Sequence, residues 1–150
     1  MREIRLLCAR DLSEVAEIEK LCFSEPWSEK SLELLLRDGN FGVVATEDGR
    51  VAAYVGVISV APEGEITNVA THPDFRRRGI AAELLGFLEK EAAERGIDSL
   101  YLEVRRSNTA AQSLYLKMGF SVIGERKGFY SNPKEDAVLM SLPCQREKGH

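Results

Sequence analysis

A strand, a turn and a helix are predicted in succession by residues 65–85, which read EITNVATHPDFRRRGIAAELL. The strand covers about residues 64–71, where residues that favour sheets are frequent, and His72-Pro73 ends it. The helix has apolar residues at three- and four-residue spacing from Ile80 onwards, and Gly96 closes it. The turn between them, RRRGIA at residues 76–81, is the strongest local signal in the chain.

That turn has the features of an anion site. The first N–H groups of a helix have no partner within it, and the helix dipole adds roughly half a positive charge there. Gly79 would permit close backbone approach, Ala81 keeps the surface low, and the arginines at 76–78 add positive charge at the rim, so a pyrophosphate would fit. A solvated basic turn that only caps the helix is an equally open interpretation. The turn is neither a P-loop nor G-x-G-x-x-G, which disfavours the usual nucleotide sites.

Predicted strands and helices surround this centre on both sides. Six further strands are expected at about residues 3–7, 42–46, 51–60, 99–104, 121–126 and 137–142, and three further helices at about residues 11–22, 28–39 and 109–118. The helix at 11–22 has its apolar residues at Val15, Ile18, Leu21 and Cys22. This order predicts an α/β (α+β) fold, with a mixed, mostly antiparallel central sheet of about seven strands flanked by four helices.

Length and composition fit a single domain over residues 1–150, with a flexible tail at about 143–150. The chain is 44% hydrophobic and 29% charged, and no apolar run approaches the roughly 18 residues of a membrane span. Residues 1–7 alternate charged and apolar side chains, unlike an export signal, so we expect a cytoplasmic protein without a membrane partner. The net charge of -4 gives no reason to expect a nucleic-acid-binding face.

The three cysteines do not indicate a metal site. Cys8, Cys22 and Cys144 are widely spaced and form no C-x-x-C pair. Neither a disulfide framework nor a zinc site is therefore predicted, and we expect reduced thiols that are buried or idle.

The pattern Arg76-x-x-Gly79-x-Ala81 after a strand matches the Q/R-x-x-G-x-G/A motif of the GCN5-related N-acetyltransferase (GNAT) superfamily, which the element order also resembles from Arg2 to about Leu142. Within it, the chain most resembles the RimI enzymes, which acetylate the N-terminal alanine of a ribosomal small-subunit protein. The segments that carry this resemblance are residues 23–28 (FSEPWS), 102–105 (LEVR), 107–108 (SN), 114–115 (LY) and 119–120 (GF).

The resemblance implies acetyl-CoA as cosubstrate and no metal. It places the pantetheine arm beside the fourth strand, on backbone groups of Val69, Ala70 and Thr71. It places the pyrophosphate on the N–H groups of Arg77, Arg78, Gly79, Ile80, Ala81 and Ala82. It also implies that Asn108 contacts the pantetheine side, and an asparagine before Thr109 is equally what a helix N-cap looks like.

Acetyl transfer needs a neutral amine, a donor for the developing oxyanion and a proton for the departing thiolate. Glu103 is the candidate base, because a carboxylate among the apolar residues of a strand is costly unless it faces a polar cleft. A salt bridge with Arg105 or Arg126 is the alternative. Tyr115 is the candidate acid, with packing on the sheet as its alternative. The resemblance favours the catalytic role for both.

The acceptor side is implied to include Trp27 and Tyr130, although core packing is as good an interpretation for each. His72 is predicted only to end its strand. We expect an N-terminal protein acetyltransferase that works by direct attack in a ternary complex, since no nucleophilic cysteine or serine motif suggests an acyl-enzyme. The expected partner is the N-terminus of a ribosomal small-subunit protein, and the expected state is a monomer or weak homodimer.

Two other functions stay open on the sequence. A GNAT enzyme of this kind could acetylate a lysine side chain or a small-molecule amine. Alternatively, the chain could bind acyl-CoA without turnover, although Glu103 and Tyr115 together argue against that.

Overall fold

The computed structural model describes residues 1–144, which form seven strands in one sheet. The strands are β1 (Arg2–Leu6), β2 (Phe41–Glu47), β3 (Arg50–Val60), β4 (Glu63–Thr71), β5 (Ser99–Arg105), β6 (Ser121–Tyr130) and β7 (Glu135–Pro143). Their order across the sheet is β1-β2-β3-β4-β5-β7-β6. Neighbouring strands are antiparallel except β4 and β5, which are parallel. The predicted mixed, mostly antiparallel sheet is confirmed.

Four α-helices flank the sheet, as predicted: α1 (Leu12–Cys22), α2 (Glu29–Leu32), α3 (Ile80–Glu94) and α4 (Thr109–Lys117). One face of the sheet packs on α3 and α4, and the other on α1 and α2. Successive residues of a strand point to opposite faces, so Val43 joins the α3 side while its neighbour Val44 joins the α1 side. This two-sided burial explains why β2 and β3 are almost continuously apolar.

The helix predicted at residues 28–39 is wrong in length and type. Ser28 does cap it, since its Oγ accepts a hydrogen bond from the Ser31 N–H at 3.1 Å, but the α-helix ends at Leu32. A 3₁₀-helix, Glu33–Leu36, follows. Residues three apart eclipse one another in a 3₁₀-helix, and the arrangement buries both Leu32 and Leu35 against the sheet.

The last hairpin is longer than predicted, because Tyr130 still pairs with Glu135 across its turn. At the other end of β7, Pro143 lies opposite Ser99 and Cys144 is buried. The rest of the expected tail, residues 145–150, lies outside the described residues. Within residues 1–144, no helix is long and apolar enough to cross a membrane.

Candidate active site

The two parallel strands separate after a short pairing, and this opens the main groove. β4 and β5 pair from Glu63 opposite Ser99 to Glu65 opposite Tyr101. Beyond that point β4 follows β3 while β5 follows β7. The groove between them has a volume of about 270 Å³. Its walls are residues 66–69 of β4, 102–105 of β5, the loop segment 22–25 and 27, and Asn108, Tyr115 and Tyr130.

A β-bulge lies where β4 leaves β5. Thr67 and Asn68 together stand opposite the single residue Gly56 of β3. Gly56 is required here for space, since a Cβ at this position would stand 2.6 Å from Thr67 Oγ1 and 2.8 Å from Leu35 Cδ1. Thr67 and Asn68 line the groove, so the bulge shapes one wall of it.

Glu103 lies between this groove and a second one of about 420 Å³, which also contains Glu63, Glu65 and Arg126. Its pKa is raised above the usual glutamate value, first by burial and then by the neighbouring Glu65 carboxylate, while Arg126 opposes the shift. The alternative salt bridge with Arg105 does not form, because Arg105 pairs with Glu135 at 3.1 Å. Glu103 is therefore a half-buried carboxylate that faces a polar cleft.

Tyr115 lies in α4 and lines the same groove. Its ring packs on Phe120 with centroids 5.6 Å apart, so the packing alternative is also realised. Burial raises the pKa of the phenol to about 12, with a smaller contribution from Tyr130. Within residues 1–144 the Tyr115 hydroxyl has no hydrogen-bond partner. A protonated phenol with an uncommitted hydroxyl can donate a proton into the groove.

Trp27 and Tyr130 both line the groove, and both are partly exposed. Tyr130 stands beneath the Arg105 guanidinium, 4.4 Å from ring centroid to Cζ. Burial raises its pKa to about 12, and the Glu103 carboxylate contributes to the shift. Tyr130 is thus electrostatically close to both Glu103 and Tyr115, so the structure brings these three predicted residues together.

The head of α3 forms a separate groove of about 150 Å³, lined by Thr71, Phe75, Leu114 and residues 76–82. The first amides of α3, from Ile80 to Ala82, have no acceptor within the helix, whose first bond runs from the Glu83 N–H to the Gly79 carbonyl at 3.3 Å. Gly79 has φ +73° and Arg77 φ +64°. Left-handed residues of this kind turn successive N–H groups toward one concave surface, which suits an anion.

Two of the three arginines of the turn are engaged with protein groups. Arg76 donates through Nε to the Thr71 carbonyl at 3.3 Å and through Nη2 to Cys22 Sγ at 3.5 Å. The Arg78 guanidinium lies over the Phe75 ring, 5.3 Å from its centroid. Arg76 and Arg78 are therefore held against the protein beside this groove, which a turn that is only solvated would not require.

The edge of β4 that faces away from β3 joins the two grooves, since Val69 lines one and Thr71 the other. Alternate residues of a strand direct their N–H and C=O groups to opposite edges. His72 donates to Ala52 of β3, so Ala70 faces β3 as well, while Val69 and Thr71 face the open edge. The structure thus brings Val69 and Thr71 to the grooves and keeps Ala70 buried away from them.

Asn108 and His72 both serve as caps. Asn108 Oδ1 accepts from the Ala111 N–H at 3.1 Å at the start of α4, and Asn108 also lines the main groove. His72 Nδ1 accepts from the Asp74 N–H at 3.0 Å, which caps the 3₁₀-helix Pro73–Phe75. Asn108 therefore combines a cap with a place at the site, whereas His72 has the structural role that was predicted.

Comparison with known proteins identifies the family. The model of the acetyltransferase (GNAT) family matches residues 12–120. The chain belongs to the acetyltransferase (GNAT) family. A relative from Salmonella typhimurium, the [ribosomal protein bS18]-alanine N-acetyltransferase, is 37% identical over 145 residues, which cover 95% of this chain and 98% of the relative. The predicted resemblance to RimI enzymes is confirmed, and the chain is an acetyl-CoA-dependent N-acetyltransferase.

Solved GNAT structures agree with the fold. The crystal structure of the ribosomal-protein-S18-alanine N-acetyltransferase from Escherichia coli superposes with a TM-score of 0.90 at 34% identity, covering 100% of this chain and 98% of that one. The fold is also shared with yncA from Salmonella typhimurium, solved with its cofactor acetyl-CoA, at a TM-score of 0.78 and 21% identity over 98% of this chain and 96% of that one. Within residues 1–144 no group of three or more His, Cys, Asp or Glu could hold a metal ion.

Several residues of this GNAT site were missed by the sequence analysis. Glu65 stands beside Glu103, and Arg105 holds the last hairpin through the Ser131 and Pro133 carbonyls at 3.0 and 2.9 Å. Asn68 lies in the bulge and bonds the buried Glu19. One signal could have found Glu65: the alternation along β4 puts Glu63 and Glu65 on the same face of the sheet. The contacts of Arg105 and Asn68 join segments far apart in the chain, so no local pattern could have revealed them.

Proposed function

We propose that this GNAT enzyme acetylates the N-terminal α-amine, with alanine as the first residue, of a ribosomal small-subunit protein. The observation that carries the proposal is the shared groove of Glu103 and Tyr115, at the point where β4 and β5 part. The relatives named bS18-alanine N-acetyltransferases, which align over almost the whole chain, support this acceptor. A cytoplasmic location belongs to the same proposal.

The cosubstrate fits the open edge of β4. The free amides at the head of α3 suit the pyrophosphate, and nothing stands within 4 Å of a Cβ built on Gly79, so the backbone there can be approached closely. The backbone of Val69 and the N–H of Thr71 lie along the edge that leads to the main groove, and Asn108 lines that groove. Acetyl-CoA bound in this way supplies the acetyl thioester between Glu103 and Tyr115.

Glu103 and Tyr115 then have separate tasks. The ionised Glu103 carboxylate accepts a proton from the α-ammonium of the acceptor, and its raised pKa makes it the stronger base for this step. The neutral amine attacks the thioester carbonyl directly, the C–S bond breaks, and the thiolate leaves. Tyr115, whose raised pKa of about 12 keeps it protonated at neutral pH, gives its proton to the thiolate. The attacking nitrogen loses its second proton to solvent as the amide forms, and solvent later returns a proton to Tyr115. Trp27 and Tyr130 enclose the acceptor's first residue.

Mass spectrometry of peptides incubated with the enzyme and acetyl-CoA tests this proposal. A peptide with a free N-terminal alanine and an internal lysine should gain one acetyl group on its α-amine. The same peptide with its α-amine blocked is the matched control and should stay unmodified. Acetylation only of the lysine would contradict the proposal and favour a lysine acetyltransferase.

A further inference from the structure

Glu19 is a fully buried carboxylate that neither the base nor the acid step uses. It lies in α1 with 0% of its surface exposed. No Lys, Arg or His of residues 1–144 forms an ion pair with it. Since a buried charge is costly unless hydrogen bonds compensate it, the contacts that do so identify what the residue is for.

Three donors from three different segments converge on this carboxylate. The Trp27 backbone N–H donates to Oε1 at 2.8 Å. The Tyr54 hydroxyl and Asn68 Nδ2 both donate to Oε2, the latter at 2.9 Å. Hydrogen bonds to a charged acceptor are about twice as strong as neutral ones, so the three segments are held firmly to one point.

Two of those segments line the main groove. Trp27 belongs to the loop after α1, and Asn68 to the bulge of β4, and both residues line the groove. Tyr54 lies in β3 and is itself fully buried. Glu19 stands outside the groove, yet it fixes the distance between the loop and the bulge.

We propose that Glu19 is a positioning residue for the acceptor: it locks the Trp27 loop to the β4 bulge and so fixes the position of that loop in the groove that receives the acceptor amine. This inference rests on the proposed function and adds to it a residue that touches neither substrate. Glu19 makes no hydrogen bond to Val69, to Thr71 or to the head of α3, so cosubstrate binding should depend on it much less than acceptor binding does.

The test variant is Glu19→Met, which keeps an unbranched side chain of similar size and removes all three acceptor bonds. We expect KM for an alanyl peptide to rise at least about tenfold, the effect of losing one charge-assisted bond of about 1.4 kcal/mol. KM for acetyl-CoA should stay within about twofold of wild type, because Glu19 bonds none of the groups proposed to hold it. Glu19→Gln should recover most of the peptide KM, since an amide can bond all three partners once the Asn68 amide turns over.

Trp27 is the only tryptophan of the chain, so its fluorescence reports the loop without any substrate. Glu19→Met should shift its emission to longer wavelength and increase its quenching by acrylamide. Asn68→Ala removes only the bond to the bulge, and it should raise the peptide KM while leaving the emission unchanged. It also carries the test if Glu19→Met does not fold.

The matched control is Glu14→Met. Glu14 lies five residues earlier in α1, and its carboxylate accepts the Val51 N–H of β3 at 2.9 Å, away from the groove. This variant should change neither KM nor the emission. The inference would be overturned if Glu19→Met changed KM for the peptide and KM for acetyl-CoA equally. It would also be overturned if Glu19→Met kept both the peptide KM and the Trp27 emission of the wild type.

Failure of the proposed function would look different. A wild-type enzyme that does not acetylate alanyl peptides contradicts that function, but the fluorescence comparison of Glu19→Met with Glu14→Met still judges the link between loop and carboxylate. An active wild type with an unaffected Glu19→Met variant contradicts only the inference about Glu19.

Discussion

Burial raises the pKa of Glu103, and two neighbouring charges then shift this pKa in opposite directions. Glu65 raises its pKa and Arg126 lowers it. Only the ionised carboxylate accepts a proton, so kcat/KM should fall as the pH drops through this pKa. Glu65→Gln removes the raising charge and should move the acidic limb of the pH profile to lower pH. Arg126→Gln should move it to higher pH.

The control for this pair is Glu63→Gln. Glu63 lines the same outer groove as Glu65, but it does not contribute to the shift at Glu103. Its substitution should leave the acidic limb in place. Shifts of Glu65→Gln and Arg126→Gln in the same direction would mean that the limb reports another group.

The Tyr115 hydroxyl has no partner in the protein among the described residues, so its removal separates catalysis from stability. Tyr115→Phe should lower kcat by about 10²-fold or more, the range of general acid catalysis. The melting temperature and the affinity for coenzyme A, measured by calorimetry, should stay near wild type because the ring still packs on Phe120. Full activity of this variant would remove Tyr115 from the acid role.

At this scale the helical spacing in the sequence does not reveal which polar side chains are buried. Helical spacing in α1 favours Leu21 for the apolar face, yet Leu21 is 54% exposed and the nearby Glu19 is fully buried. The reason is that the partners of Glu19, which are Trp27, Tyr54 and Asn68, come from three separate segments. Periodicity within one helix carries no information about them.

Among the elements, the head of α3 offers a comparison within one helix. Gly79 has φ +73°, whereas Gly86 lies in the middle of α3, and a Cβ on either would meet nothing within 4 Å. Gly79→Ala should cost about 1–2 kcal/mol of unfolding free energy through backbone strain and weaken coenzyme A binding in calorimetry. Gly86→Ala should stabilise by about 0.5–1 kcal/mol and leave binding unchanged. If both variants bound coenzyme A with equal affinity, this turn would not be part of the cosubstrate site.

Strands and long helices were predictable because each has one clear period or apolar run. The segment at 28–39 was not, since closely spaced leucines fit an α-helix and a 3₁₀-helix equally, and only the sheet beneath decides between them. Likewise β6 continues past residue 126 because Arg105 fastens the turn that follows it, a contact that no pattern within the hairpin reveals.

The whole molecule consists of two half-sheets joined where β4 pairs with β5 over Glu63–Glu65. A cosubstrate that lies along the open edge of β4 and reaches Tyr115 of α4 contacts both halves. Coenzyme A at 100 times its Kd should therefore stabilise the fold by about 2.7 kcal/mol. Thermal unfolding should show a rise of several degrees, also for Glu103→Gln, which keeps the binding groups. An unchanged melting temperature under these conditions would contradict this binding mode.

The meeting of Glu103, Tyr115 and Tyr130 in one groove is a property of the whole fold. Each residue was predicted through the family resemblance, but their proximity depends on how far β4 and β5 diverge and on where the last hairpin folds back. Local patterns cannot supply these quantities, because both depend on packing between distant segments.

The divergence of β4 and β5 also means that the two substrates are recognised by different segments of the chain. In the proposed function, acetyl-CoA is held mainly by one continuous strand–turn–helix unit, whereas the acceptor contacts the loop after α1 and the β6–β7 hairpin. New amine preferences can therefore evolve by exchange of two surface segments, while the part of the protein that binds and activates the thioester is retained.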